Sequence, residues 1–172
     1  GRRAEDIKFF QGLSFIIGAT EAEARAREAE YERYVSVDGY LAHIALVNSD
    51  GRTYAADTPL DQVQTNGTRG FVEWARAADP DRAPTVADIA RGIARGTRVV
   101  GTPEQIADRI EAWAAVGVDG INVFNWVIPG SFAEFAEHVL PVLRARGLAQ
   151  TDYAPGPLRQ KLFGSPRLNA RH

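Results

Sequence analysis

The ten residues Thr97-Arg98-Val99-Val100-Gly101-Thr102-Pro103-Glu104-Gln105-Ile106 constrain this chain more than any other stretch, because they spell the passage from an extended segment into a helix. Residues 97–100 are rich in β-branched side chains, Gly101 permits a tight turn, and Thr102 can cap the orphan N–H groups of the helix that follows. Pro103 stands at the first helical position, where its missing N–H costs nothing, and Gln105, three residues after the cap, completes a capping box. The joint recurs. Ser14-Phe15-Ile16-Ile17-Gly18-Ala19-Thr20-Glu21-Ala22-Glu23 repeats the order of apolar strand, glycine, threonine cap and acid. A looser copy runs from residues 121–124 through Pro129-Gly130 to Ser131, with Glu134 closing a Ser-x-x-Glu box. Repeated β/α units build parallel sheets, either an open doubly wound sheet or a closed barrel.

Composition narrows the partners. A length of 172 residues, 45% hydrophobic and 24% charged, suits a single globular domain. The net charge of −2 gives no electrostatic footprint for nucleic acid or an anionic membrane, so neither is an expected partner. With no cysteine the chain has neither disulfides nor thiolate metal ligands, and the Gly1-Arg2-Arg3 start lacks the apolar core of a signal peptide. No apolar run approaches the ~20 residues that span a bilayer, so the expected location is cytoplasmic. The chain contains no methionine, and three β/α units are too few to close an eight-stranded barrel of about 250 residues. Together these predict an incomplete chain.

Taken in order, residues 6–10 and 13–17 read as strand, with a bulge or bend at Gln11-Gly12. Thr20 caps a helix predicted to run to about Val37, whose charges at i,i+4, such as Glu21 with Arg25 and Glu23 with Arg27, read as a solvated face. Asp38-Gly39 ends or bends it, and residues 40–47 give a further helical turn or two. Residues 48–69 are turn chemistry almost without period, the pattern of a long loop or lid. Residues 71–77 resume a helix that Asp79-Pro80 stops, and Thr85 caps another over 86–95 with Gly96 as its exit. Ile106, Ile110 and Trp113 line the core face of the helix after Thr102. Phe132, Phe135, Val139 and Leu143 make the buried stripe of a last helix, kinked by Pro141 and stopped by Gly147. The proline-bearing tail from 149 onward is expected to wrap a surface.

No phosphate loop, nucleophile elbow, dinucleotide fingerprint or zinc motif is present. His43, His138 and His172 have no ligand spacing, and among them His43 stands out for lying just before the long loop. Position is more informative than residue type, because β/α barrels build their sites at the carboxyl ends of the strands. The end of the last strand supplies Asn122, Asn125 and Trp126. Asparagine amides both donate and accept, which suits a flat amide-rich ring such as a flavin, and Trp126 could stack on such a ring or plug the barrel end. His43 and the loop residues Thr65, Asn66 and Thr68 are candidates to close over the same mouth. The Gly101-Thr102 turn could hold an anion, although as an ordinary cap it needs none.

The run 99–108, the Gly117-Val118-Asp119-Gly120-Ile121-Asn122 segment, Pro129-Gly130-Ser131-Phe132 with Phe135, and residues 139–148 together resemble the carboxyl-terminal part of luciferase-like flavin-dependent monooxygenases. The resemblance lies with the nitrilotriacetate, dibenzothiophene-sulfone and long-chain alkane monooxygenase group, and extends to residues 34–39, Asp57-Thr58-Pro59-Leu60 and the tail's 157–162. It implies an α/β chain forming about the last three strands of a (β/α)8 TIM barrel over residues 1–148. Residues 38–97 would be an insertion or lid, and 149–172 an extended tail. It further implies reduced FMN supplied by a separate flavin reductase, O2 activated at the flavin, a small organic substrate, a missing amino-terminal barrel half or companion chain, and a homo-oligomer. The alternatives are a deazaflavin-dependent oxidoreductase of the same superfamily and a non-catalytic flavin-binding or assembly subunit.

Overall fold

The computed structural model describes residues 3, 6–44, 51–63, 70, 73, 77 and 83–167. Its elements are, in order, β1 (Phe10–Ile17), α1 (Glu21–Glu32), α2 (Val37–Ile44), α3 (Val86–Gly96), β2 (Arg98–Gly101), α4 (Pro103–Ala115), β3 (Gly120–Phe124), α5 (Gly130–Glu134), a π-helical turn (Phe135–Val139), α6 (Leu140–Ala145) and α7 (Leu158–Phe163). They form two compact units, Gly1–Arg25 with Val99–His172, and Ala26–Arg98.

The first unit is built on a three-stranded sheet in the order β2-β1-β3. β1 and β3 run parallel, with Phe10 opposite Gly120 and Ser14 opposite Phe124. Alternate side chains of a strand point to opposite faces. Leu13, Phe15 and Ile17 therefore share one face, where they pack with Ile106, Ala107 and Ile110 of α4 and with Val139 and Leu143. Val99, Ile121 and Val123 join the same layer. Burying each of these large aliphatic side chains contributes about 1.5–3 kcal/mol, which makes this layer the energetic centre of the unit. The opposite face carries Ser14 and Ile16, both buried, and Phe10 and Phe124, which are 46% and 53% exposed. On that face two glycines admit aromatic rings: a Cβ on Gly12 would lie 2.5 Å from the Phe124 ring, and one on Gly120 would lie 2.4 Å from the ring of Phe10.

The expected interruption at Gln11-Gly12 is absent, because the β1–β3 pairing runs through both residues. Below Phe10 the chain leaves the strand, and its tie to β3 passes to Asp119. The Asp119 carboxylate accepts from Lys8 Nζ at 2.9 Å and from the Phe9 N–H at 3.0 Å, while the Asp119 N–H donates to the Phe9 carbonyl at 2.8 Å. The Lys8 hydrogen bond, and after it that of the Phe9 N–H, holds the Asp119 carboxyl below the usual carboxylate range. Asp119 thus fastens the amino end of the sheet, the end opposite the one where β/α sites form.

The last helix departs from expectation in a way that Pro141 explains. Proline cannot donate to the carbonyl four residues back and its ring crowds that carbonyl. The turn before it widens into the π form, in which the Leu140 N–H reaches back five residues to Phe135. Val139 and Leu143 are buried as expected, whereas Phe132 is 46% exposed. The stop at Gly147 is a Schellman closure: Gly147 has φ 71°, its N–H donates to the Arg144 carbonyl, and the Leu148 N–H donates to that of Leu143 at 2.8 Å. The tail forms the short α7, none of whose residues is buried.

In the second unit α1 ends at Glu32 rather than near Val37, and α2 begins at Val37. Ser36 caps α2, its hydroxyl accepting the Gly39 N–H at 3.1 Å, so Asp38-Gly39 opens a helix instead of closing one. Leu41, Leu60, Val86, Ile89 and Ala90 form a separate core, and burial against it raises the Tyr40 pKa. Part of the segment expected to be irregular is tied down here. The Leu60 N–H donates to the Pro84 carbonyl, and those of Val86 and Ala87 donate to the Thr58 and Ala56 carbonyls. The predicted helix over 71–77 falls mostly outside the described residues. The acidic face of α1 is not all solvated: the Arg98 guanidinium, 2% exposed, pairs with Glu28 at 3.1 Å and also with Glu32.

Candidate functional site

The carboxyl ends of the strands differ in what they leave available. β1 and β2 end side by side, with the Gly18 N–H donating to the Gly101 carbonyl at 3.2 Å. Each then enters a helix whose N-terminus is filled by its own side chains. At α4 the Thr102 hydroxyl accepts the Gln105 N–H at 3.3 Å and the Gln105 side chain accepts the Thr102 N–H at 2.9 Å. At α1 the Thr20 hydroxyl accepts the Glu23 N–H at 3.1 Å, and the Glu23 carboxylate accepts the N–H of Ala19. Gln105 Nε2 also donates to the Glu21 carboxylate at 3.2 Å. With these donors engaged and two carboxylates beside them, both joints act as caps and oppose an anion.

The end of β3 is arranged differently. Asn122 is exposed on the strand, opposite Gly12 of β1, and so stands on the sheet face that carries Phe124. Asn125 and Trp126 are half-buried in the turn that follows. That turn is closed by Ser131, whose Oγ accepts the N–H groups of Trp126 at 3.2 Å and Val127 at 3.0 Å. The helix starts at Gly130, so Ser131 lies inside its first turn and reaches back into the loop instead of making the expected box with Glu134. Phe124, Val127, Ile128 and Phe132 give the turn an apolar rim, Ile128 being 78% exposed. The strand end thus carries Asn122 on the strand and Asn125 and Trp126 in the turn, and adds Ser131, which Pro-Gly-Ser alone announced only as a helix start.

The remaining candidates fall elsewhere. His43 is exposed in the last turn of α2, in the second unit, its ring set edge-on to Tyr40 with centroids 6.5 Å apart. Thr65, Asn66 and Thr68 lie outside the described residues. Trp113 packs against the α4 side of the core, with the Arg109 guanidinium 5.5 Å from its ring centroid, as expected of a structural residue. Among the described residues no group of three or more His, Cys, Asp or Glu side chains could hold a metal ion. Among them, too, no helix is long and apolar enough to cross a membrane.

The side chains at the β3 end are of the chemical kinds that can meet a flat amide-bearing ring such as a flavin. An amide side chain can both donate and accept a hydrogen bond, and an indole offers a flat apolar face.

Residues 1–120 match the family model described as luciferase-like monooxygenase. The chain is 35% identical to the dimethyl-sulfide monooxygenase of Hyphomicrobium sulfonivorans over 96% of its own length and 35% of the relative's. It is 30% identical to the long-chain alkane monooxygenase of Geobacillus thermodenitrificans, over 95% of this chain and 34% of that protein. A crystal structure of riboflavin lyase, RcaE, with modified FMN and the substrate riboflavin, superposes with a TM-score of 0.70 at 32% identity, over 99% of this chain and 39% of that one. The chain therefore spans about one third of the length of the curated relatives it matches. With its strand-to-helix joints, parallel sheet and family-model match in agreement, the chain belongs to the luciferase-like monooxygenase family.

Proposed function

We propose that this chain is the carboxyl-terminal part of an FMN-dependent monooxygenase, contributing about the last three strands of a (β/α)8 barrel. In this reading residues 38–97 are an insertion or lid region and a separate reductase supplies the reduced flavin. The observation that carries the proposal is the β3 end, where Asn125 and Trp126 are half-buried in a turn pinned by Ser131, with Asn122 on the strand below. The modified FMN of the similar riboflavin lyase structure supports the cofactor. The exposed Phe10 and Phe124 on the sheet face away from the helices support further strands packing there, since an apolar sheet face is stable when another layer covers it.

Reduced FMN, when bound, supplies the two electrons with which one atom of O2 enters an organic substrate while the other leaves as water. The protein's share is to bind, orient and exclude water. Asn122 and Asn125 would hold the ring's polar edge, Trp126 would cover part of its face, and the apolar rim of Phe124, Val127 and Ile128 would keep water from the reacting atoms. The relatives' names suggest dimethyl sulfide and a long-chain alkane as probes for an organic substrate. With the full-length protein, reduced FMN and 18O2, the expected result is one 18O atom in the oxygenated product. Tight flavin binding and rapid O2 consumption with the 18O recovered only as hydrogen peroxide or water, and none in the organic compound, would overturn the proposal in favour of a flavin-binding subunit without oxygenation.

A further inference from the structure

We infer that Ser131 is the positioning residue of the candidate flavin site: its hydroxyl locks the backbone of Trp126 and Val127 and so sets where Asn125 and Trp126 stand. The inference rests on the functional reading above. Two consecutive N–H groups aimed at one point form a concave cup that in other proteins receives an anion. In this chain the cup is filled from within, by Ser131 Oγ at 3.2 Å and 3.0 Å. A hydroxyl oxygen has two acceptor positions, and both are taken by the loop. Ser131 is only 8% exposed, so water is poorly placed to take over if the hydroxyl is removed.

The lock matters because Ser131 is itself fixed. Its own N–H donates to the Val127 carbonyl at 2.9 Å, so loop and helix hold each other from both sides. Four residues on, the Phe135 ring meets Phe15 of β1 with centroids 4.9 Å apart, and Val139, with no exposed surface, anchors the same helical run in the core. Position passes from the strand core to the helix, from the helix to Ser131, and from Ser131 to the turn bearing the amide and indole side chains. A site residue displaced by a fraction of an ångström loses much of its effect, and the hydroxyl is what prevents that displacement.

The test uses the full-length protein with Ser131→Ala, the near-isosteric but weakly accepting Ser131→Cys, and Ser131→Thr. Residue-resolved hydrogen exchange reads the lock, and the KM for reduced flavin against kcat reads its consequence. In Ser131→Ala the Trp126 and Val127 amides are expected to exchange at least about tenfold faster, with the β1 amides unchanged. The KM for reduced flavin is expected to rise about tenfold while kcat stays within about threefold, the mark of lost uniform binding. Cysteine should fall between alanine and the parent, and threonine should restore both readouts. Protected amides in Ser131→Ala, loosened amides with an unchanged KM, or a loss shared equally by the β1 amides would each overturn the inference. Should the parent protein bind flavin without oxygenating, the functional reading fails while the exchange data and flavin affinity still decide the role of Ser131.

Discussion

Replacing Gly18 with alanine is expected to destabilise the protein by about 3 kcal/mol or more, the upper range for overpacking, although a single methyl is added. An alanine for glycine ordinarily stabilises by about 0.4–1 kcal/mol, because the unfolded chain has less freedom to lose. At Gly18 sterics reverse the sign. A Cβ there would sit 2.4 Å from the Ala24 nitrogen and 2.8 Å from the Thr20 carbonyl oxygen. Both are backbone atoms of the first turn of α1, so no side chain can swing aside, and either α1 shifts or the β1–β2 end opens. Thermal unfolding of the variant should show a midpoint lower by on the order of 10 °C. The control is Gly70→Ala, at a helical position with nothing among the described residues within 4 Å of the added carbon, which should be neutral or slightly stabilising. A Gly18→Ala midpoint within a degree of the parent would mean that β1 and α1 do not approach as described.

The second large effect is expected at Ile106. This residue has no exposed surface and belongs to the layer where α4 meets Leu13, Phe15 and Ile17. Ile106→Ala removes buried carbon and leaves a cavity that the sheet on one side and the helix on the other cannot easily close. About 2–5 kcal/mol should be lost in denaturant unfolding. Val116→Ala, at a residue 76% exposed just past the same helix, should stay within about 0.5 kcal/mol. Equal small effects at both positions would contradict the assignment of this layer as the core.

What the amino-acid sequence disclosed about the fold was mostly what short-range chemistry decides. Thr102 and Gln105 form their box because both partners lie within one helical turn, and Gly147 stops the last helix because a left-handed residue there needs no Cβ. The run 13–17 is buried on both faces because four of its five side chains are large and apolar, and the small Ser14 is buried among them. Features decided by distant partners were hidden. Glu28 and Glu32 look like solvent-facing charges until Arg98 arrives from about 70 positions along the chain. Leu60 sits in a stretch of turn residues and becomes core only because Thr58 and Ala56 meet the start of α3. The candidate site shows the same division. Asn125 and Trp126 follow from the rule that β/α sites form at strand ends, whereas the Ser131 lock depends on how tightly the turn folds back, which residue spacing does not reveal.

The most direct measurement is anaerobic titration of the full-length protein with reduced FMN, followed by fluorescence, in the parent and in Trp126→Ala. One flavin per chain is expected, with a dissociation constant at least about tenfold weaker in the variant, equivalent to about 1.4 kcal/mol. Absence of reduced-FMN binding in the parent, or equal affinity in both proteins, would contradict the proposed function.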